Sequence, residues 1–483
     1  MNQSKHRKAK HGKHRRKPPY EGVWNKTKWS FLTSLSTVLG DFVNMAFLAH
    51  LGTAAISGVA ATAIINFFFV SIDKNGLKAV TGRLVGQSTS DKLANLPPYL
   101  QRVKEKAKGN RGEVLVKHIT YNSLFSSLLL GLMVGSLAIA FPIQILEWGG
   151  AEHTVAVYGA PYFQIIMGCV VFNSIANGLA STLNGLKETK RVTVAAVCMF
   201  FTQVTLGFLA VHVFDFGLKG VAWANVTANV VQVVILTRML YHKGFSSRVS
   251  KLLPDWRFLW GTCKEAWPLM FEKLSFQACI ASLWHVLQHH GMEVMASQRI
   301  ANQITLVPLA LFTGLYPVIT PFVSEYFGNK DYKSIRSFTT GVLLVGTLCC
   351  GSVLMVTYFV GPWVTTLLFT DDKSLVEMTQ MWLLFLVFTH MSNTALQIVT
   401  YSLKAVGSNK IISISSLVSN GTWGISLYMW GSTGNLMLVS SFQVVATLMK
   451  LIVLGWFFYT QRWVPKPKIG KIVWFDVKLL QEK

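Results

Sequence analysis

Acidic side chains are scarce in this chain: 21 Asp and Glu stand against 45 Lys and Arg in 483 residues, and charged residues of both signs make up 14%. A soluble protein is normally about a quarter charged, so an ordinary soluble domain of this length is excluded. Cysteine is sparse too. Cys169, Cys198, Cys263, Cys279, Cys349 and Cys350 lie in or beside apolar runs, without metal-ligand spacing or a partner in an outer loop. That excludes a disulfide framework and a zinc module and predicts free thiols packed in helices. No Walker loop occurs, so ATP would have to be supplied by another chain. The longest pieces outside apolar runs, near 88–117 and 241–260, are about 30 and 20 residues, too short for a catalytic domain. The chain reads as a protein that is not an enzyme and carries no cofactor or metal.

What fills the sequence is apolar: 51% of residues are hydrophobic. Twelve runs are long enough to cross a bilayer core of roughly 30 Å: about 29–51, 54–85, 119–142, 155–182, 192–214, 217–240, 261–288, 292–325, 338–361, 376–402, 410–430 and 434–460. Pro308, Pro317 and Pro321 are placed to bend the eighth. The fold expected is an all-α membrane protein of twelve transmembrane helices in two pseudo-twofold-related six-helix lobes, 29–240 and 261–460. A basic tail, 1–28, a linker, 241–260, and a C-terminal tail, 461–483, complete it.

The net charge of +24 could suggest nucleic acid, but its distribution argues against that. Basic residues collect in the tail, in Arg83–Lys117 and in the connections around Lys187, Lys243–Arg257, Lys330–Arg336 and Lys404–Lys410. The opposite connections carry only Lys219 and Lys373. This is the positive-inside bias, and it places both termini in the cytoplasm of a multi-pass inner or plasma membrane protein adhering to anionic lipid. His6, His11 and His14 in the tail lie among cations that oppose metal binding, so the tail reads as a disordered anchor rather than a signal peptide. Pro97, Pro98 and the Lys and Glu of 104–108 predict a loop or short surface helix. Leu252, Leu253, Trp256 and Trp260 predict an interfacial helix between the lobes.

The chain also repeats itself. Leu183–Lys190 (LNGLKETK) and Leu403–Lys410 (LKAVGSNK) each close an apolar run, and HLGTAAISG at His50 is echoed by HHGMEVMAS at His289. Two similar membrane halves supply the moving interface that alternating access needs.

Coupling would lie on carboxylates inside spans. Asp41 sits halfway along the first and Glu272 near the middle of the seventh. Each should face the bundle interior or a wet cavity. Lys74, Lys78, Lys273 and Arg299 also fall within spans. Lys74 and Lys78 share a face near the cytoplasmic end and should snorkel; Lys273 should pair with a carboxylate of another helix, since it points about 100° from Glu272. Together the basic residues suggest a cationic cavity that admits anionic or phosphate-bearing amphiphiles, such as a lipid-linked precursor. Phe67, Phe68, Phe69 and Tyr316 are candidates to line it, although such aromatics more often pack.

LGDFVNMAFLAHLGTAAISGVA, LNGLKETKR, GLKGVAWANV, WPLMFEKLSF and ITPFVSEYFGNKDYKSIR, in that order, resemble the motifs of multidrug and toxic compound extrusion (MATE) transporters of the MOP flippase superfamily. The resemblance runs from about Trp29 to Thr460. It implies two six-helix lobes, a central cavity alternating between leaflets, and drug export driven by sodium or protons. It makes Asp41 the amino-lobe cation site and Glu272 the seventh-helix acidic residue. The chain departs from the pattern where Gln203 and Gly207 replace an Asn and an Asp, where Asn393 replaces an aspartate, and where Arg299 stands in QRIA. Fewer carboxylates suit protons better than sodium. Lys273, Arg299, Gln203 and Asn393 are thus substrate or gating candidates. Three readings compete: a cation-coupled exporter of small organic or amphiphilic molecules, a flippase for a lipid-linked or anionic envelope precursor, and a non-transporting scaffold or sensor. A monomer contacting substrate and membrane lipids, and no nucleic acid, is expected.

Overall fold

The structure, a computed structural model, describes residues 23–465 apart from 52, 108, 150, 152, 243–253, 291, 369–371 and 432–435. Of the tails expected at 1–28 and 461–483, residues 1–22 and 466–483 lie outside the described residues, as do Leu252 and Leu253 of the linker, while 23–28 belong to the first helix. The described elements are helical, with no strand among them.

Twelve helical crossings follow one another. The first half holds α1 (Val23–His50), α2 (Thr53–Ile72) continued through a π-helical turn, Asp73–Leu77, into α3 (Lys78–Ser88), then α5 (Arg111–Ala140). It goes on with α7 (His153–Gly168) and α8 (Val170–Gly185), α9 (Thr189–Phe208) with a π-turn at Leu209–Val213, and α10 (Gly217–Tyr241). The second half holds α11 (Trp256–His289), α12 (Met292–Thr313) with α13 (Tyr316–Gly328), α14 (Tyr332–Leu368), α15 (Lys373–Ala405), α16 (Asn409–Trp430) and α17 (Leu436–Tyr459). Two short helices, α4 (Pro98–Lys106) and α6 (Pro142–Trp148), lie between crossings.

Six crossings are continuous apolar helices, and two more are bent pairs, 41° between α7 and α8 and 47° at Pro308. The proline removes a backbone donor and its ring clashes with the preceding turn, so a bend there is expected. The remaining crossings, such as α1 and α11, carry charged side chains along their length. Helices of each half pack mainly on one another, for example α1 on α9 and α5 on α8, then α11 on α16 and α14 on α15. Large apolar side chains such as Leu132, Phe201, Leu348, Phe359 and Ile452 point outward, as lipid-facing positions do.

The repeated motif makes the same turn twice. Leu183 O accepts from Glu188 N at 2.8 Å, with Lys187 at φ 61°; Leu403 O accepts from Ser408 N at 3.0 Å, with Gly407 at φ 81°. Both are six-to-one helix caps closed by a left-handed residue, so the internal likeness in sequence is one of local structure.

At one end the halves are tightly joined. α3 crosses α13 so closely that a Cβ on Gly86 would lie 3.0 Å from Ser324 Cβ and 3.2 Å from Pro321 Cα. One apolar core, including Leu84, Leu100, Phe258, Val323 and Phe338, runs across both halves there. The short helix expected near 98–108 is α4, which buries Leu100 and leaves Arg102, Glu105 and Lys106 exposed. Trp256 and Trp260 belong to the first turns of α11, so that stretch of the expected linker helix is continuous with the seventh crossing.

Candidate functional site

Within the first half, Asp73 opens the π-turn between α2 and α3 and is fully buried. Ser174 Oγ and Asn177 Nδ2 donate to its two oxygens at 2.8 and 3.3 Å, and Lys78 Nζ stands 3.6 Å away. Lys78 is 1% exposed and donates to Ser123 O at 3.0 Å. The expectation that Lys78 snorkels with Lys74 is therefore corrected. A π-turn adds a residue to the helical repeat, so residues four apart leave their common face: Lys74 stays exposed while Lys78 turns inward.

Asp41 is open to solvent-accessible space on α1, not sealed in the bundle interior. Lys74 is the cation whose charge acts on it. Gly40, beside it, lets α9 approach, its Cβ position lying 3.4 Å from Gln203 Oε1, and Gln203 is itself buried. Tyr162 neighbours Asn44, one turn beyond Asp41, and Asn225 Nδ2 donates to Asn44 Oδ1 at 3.3 Å. Asp41, Lys74, Asn44, Tyr162, Asn225 and Gln203 thus form one polar patch.

Glu272 is 2% exposed in the second half and meets three ammonium groups. Lys404 Nζ of α15 lies 2.9 Å from Oε2; Lys450 Nζ of α17 and Lys273 Nζ lie 3.2 and 3.8 Å from Oε1. Lys273 was expected to reach a carboxylate on another helix; its long side chain instead turns back to its own neighbour. A cavity of about 160 Å³ opens here, lined among others by Glu272, Lys273, Asn393, Asn420, Trp423 and Lys450. Gln397 Nε2 donates to Asn393 Oδ1 at 3.2 Å, and Asn420 Nδ2 to Ser275 Oγ at 2.8 Å. The structure thus brings Glu272, Lys273 and Asn393 together and keeps Asp41 and Gln203 in the other half. Arg299 is exposed on α12 and does not line this cavity. Among the aromatics, Phe69 and Tyr316 are core residues, Tyr316 stacked on Tyr401.

Ion pairs join the halves at the α4 end. Arg83 of α3 bonds to Glu265 of α11, which also accepts from Tyr99 Oη at 2.9 Å; Lys187, after α8, bonds to Glu325 of α13. Burial, then the neighbouring Glu265 charge, hold the Tyr99 phenol above its ordinary range.

A family model, MatE, matches residues 106–209 and 268–430, together more than half of the chain. The chain belongs to the MatE family. Family and fold are those of multidrug and toxic compound extrusion transporters rather than enzymes, and the chain is an integral membrane protein. Among relatives, Protein DETOXIFICATION 42 of Arabidopsis thaliana is 22% identical over 278 residues, 56% of this chain and 53% of that protein. The chain thus spans about half the length of that relative in the match. The probable multidrug resistance protein YoeA of Bacillus subtilis (strain 168) is 18% identical over 409 residues, 82% of this chain and 83% of the relative. Among solved structures, the outward-facing conformation of a multidrug resistance MATE family transporter of the MOP superfamily has a TM-score of 0.78 at 14% identity, covering 92% of this chain and 97% of that one. A MOP superfamily transporter from Pyrococcus furiosus likewise has 0.78 at 15%, covering 92% and 96%. These likenesses give the fold: twelve transmembrane helices.

Beside that fold, sequence reasoning missed three residues of the site. Asp73 lies in SIDKNGLK, where it reads as a span end; Lys404 reads as a loop cation; Lys450 stands in a long apolar run. A lysine in such a run is costly without a counter-charge, and for Lys450 that cost was the available signal.

Proposed function

We propose that this MatE protein is a proton-coupled antiporter that exports small organic or amphiphilic molecules by alternating access, with Asp41 as the coupling carboxylate. The observation that carries this reading is the open position of Asp41, within electrostatic reach of Lys74. A carboxylate that water reaches can exchange a proton, and doing so releases or restores the attraction to Lys74. Sodium fits less well, because a bound cation would sit against an ammonium group and a hard cation asks for several oxygen ligands. Glu272, engaged by three lysines, is the second coupling candidate.

The α4 end, with its Arg83–Glu265 and Lys187–Glu325 pairs, is the closed gate in this conformation. The positive-inside bias makes it cytoplasmic, with both termini on that side. Rocking of one half against the other would break those pairs and the α3–α13 contact. The test is flux of radiolabelled succinate or tetraphenylphosphonium in proteoliposomes under an imposed pH or sodium gradient. Flux driven by a pH gradient and lost in Asp41→Asn is expected. Flux that follows sodium alone, or that Asp41→Asn leaves intact, overturns the coupling assigned here.

A further inference from the structure

We infer that the cavity beside Glu272 is an anion site, and that the substrate presents a carboxylate or phosphate group to Lys273 and Lys450. This rests on the transporter reading for the word substrate; the site itself rests on charge and geometry.

Around one carboxylate the second half gathers three ammonium groups, Lys273, Lys404 and Lys450, of which Lys404 and Lys450 are buried. The nearest, Lys404, lines no part of the cavity and stands against Glu272 from α15. Its approach accounts for the negative charge of Glu272. Lys273 and Lys450 both line the cavity, and among the described residues Glu272 is the one acidic side chain that does. Three ammonium groups share one carboxylate, an excess of two positive charges, and Lys273 and Lys450 are the two of the three that face the space. Buried charges are normally paired, because an isolated one is costly. An anion in the cavity supplies the missing pairing.

Donors converge on the same space. Trp423 also lines the cavity, so its fluorescence reports on what enters. Asn393, and the second amide hydrogens of Gln397 and Asn420, are available to donate. The volume, about 160 Å³, holds roughly five waters. That suits a phosphate or the acidic end of a small dicarboxylate, while a bulky organic cation would meet two like charges.

Such an oxyanion could be a free acid or a lipid headgroup. The experiment measures binding without any gradient, using the purified full chain and succinate, inorganic phosphate or, as a cationic control, tetraphenylphosphonium. The readouts are tryptophan fluorescence, with Trp423→Phe to assign the signal, and melting temperature. Succinate or phosphate should bind, at least tenfold more weakly in Lys273→Gln and Lys450→Gln. Lys273 is partly exposed, so its variant keeps the fold testable if Lys450→Gln fails to fold. In Glu272→Gln binding should tighten several-fold, whereas a merely structural cluster would lose it. Nanodiscs of phosphatidylcholine with and without phosphatidate form the lipid arm; protection by phosphatidate alone, sensitive to Lys273→Gln, assigns the site to a headgroup. Absence of binding in both arms, binding unchanged in Lys273→Gln, or tetraphenylphosphonium reaching Trp423 overturns the anion site. Anion binding that persists where no gradient drives flux would instead count against the transport reading and leave the site standing.

Discussion

Lys78 is the most thoroughly buried cation described in the first half, and its replacement by methionine tests what holds it there. Its ammonium stands 3.6 Å from Asp73. At an effective dielectric of about 20 that separation is worth roughly 4–5 kcal/mol, and removing one partner of a buried pair costs about 3–5 kcal/mol because the other is left charged and unmatched. In a chain of this length 1 kcal/mol moves a melting transition by about 1–2 °C, extrapolating the size trend of smaller proteins. Lys78→Met should therefore lower the melting temperature of the purified protein by about 3–10 °C. Asp73→Asn combined with Lys78→Met removes both charges, while Ser174 and Asn177 keep bonding the new amide, so the double variant should melt above the Lys78→Met single variant. Thermal melting in detergent with a double-mutant cycle reads this directly. If Lys78→Met melts with the wild type, or the double variant loses the sum of both singles, the pair does not neutralise Lys78 and its burial has another cause.

Other consequences follow from the joined end and from helix contacts. The raised Tyr99 phenol means the folded state holds that proton more tightly than the unfolded chain. Its stabilising share is full below about pH 10 and is lost as pH rises past that ordinary value, so Tyr99→Phe should flatten the alkaline fall in melting temperature; an unchanged slope would clear Tyr99 of any part in it. With Arg83→Cys and Glu265→Cys in a background lacking the six native cysteines, a short bis-maleimide should link the halves and stop flux. Continued transport by fully linked protein would mean that the Arg83–Glu265 contact never has to open. A Cβ at Gly135 would lie 2.8 Å from Gly168 O, so Gly135→Leu should cost about 1–3 kcal/mol by overpacking, read as a lower melting temperature and reduced yield.

The crossings were legible because each apolar run had to satisfy its own backbone in lipid, which makes length and composition nearly sufficient. The repeat was legible for a similar local reason: Leu183–Lys190 and Leu403–Lys410 build the same cap, whatever surrounds them. The site was only half legible. Glu272 stood out as an acid at mid-span, but its partners come from α15 and α17, more than a hundred residues on, and no local pattern links them. Lys404 and Lys187, counted with the cytoplasmic loops, are instead ion-paired across helices. A topological tally of basic residues does not distinguish a charge that orients a helix from one that holds two together. Lys78 was misplaced because a π-turn leaves no mark in hydropathy, and one extra residue there rotates it from the surface into the bundle.

The two halves share topology but not charge. In the first, Asp73 has Lys78 at 3.6 Å and Asp41 feels the charge of Lys74 without forming an ion pair with it; in the second, one carboxylate has three ammonium groups within 4 Å. Under the coupling proposed above, a proton taken up by Asp41 would act on a balanced patch, while an anion bound near Lys450 would fill an unbalanced one. An anion leaving the cell and a proton entering it shift charge across the membrane in the same sense. An inside-negative potential would then drive export, at about 2.3 kcal/mol per charge per 100 mV. Export of an organic cation in exchange for a single proton would gain little or nothing from that potential. Imposing a potassium diffusion potential across proteoliposomes, with no pH gradient, separates the two. Flux of succinate that rises when the compartment on the α4 side is negative would fit the charge pattern seen here. Flux indifferent to the potential would mean that the excess positive charge of the second half is never exposed to the transported molecule.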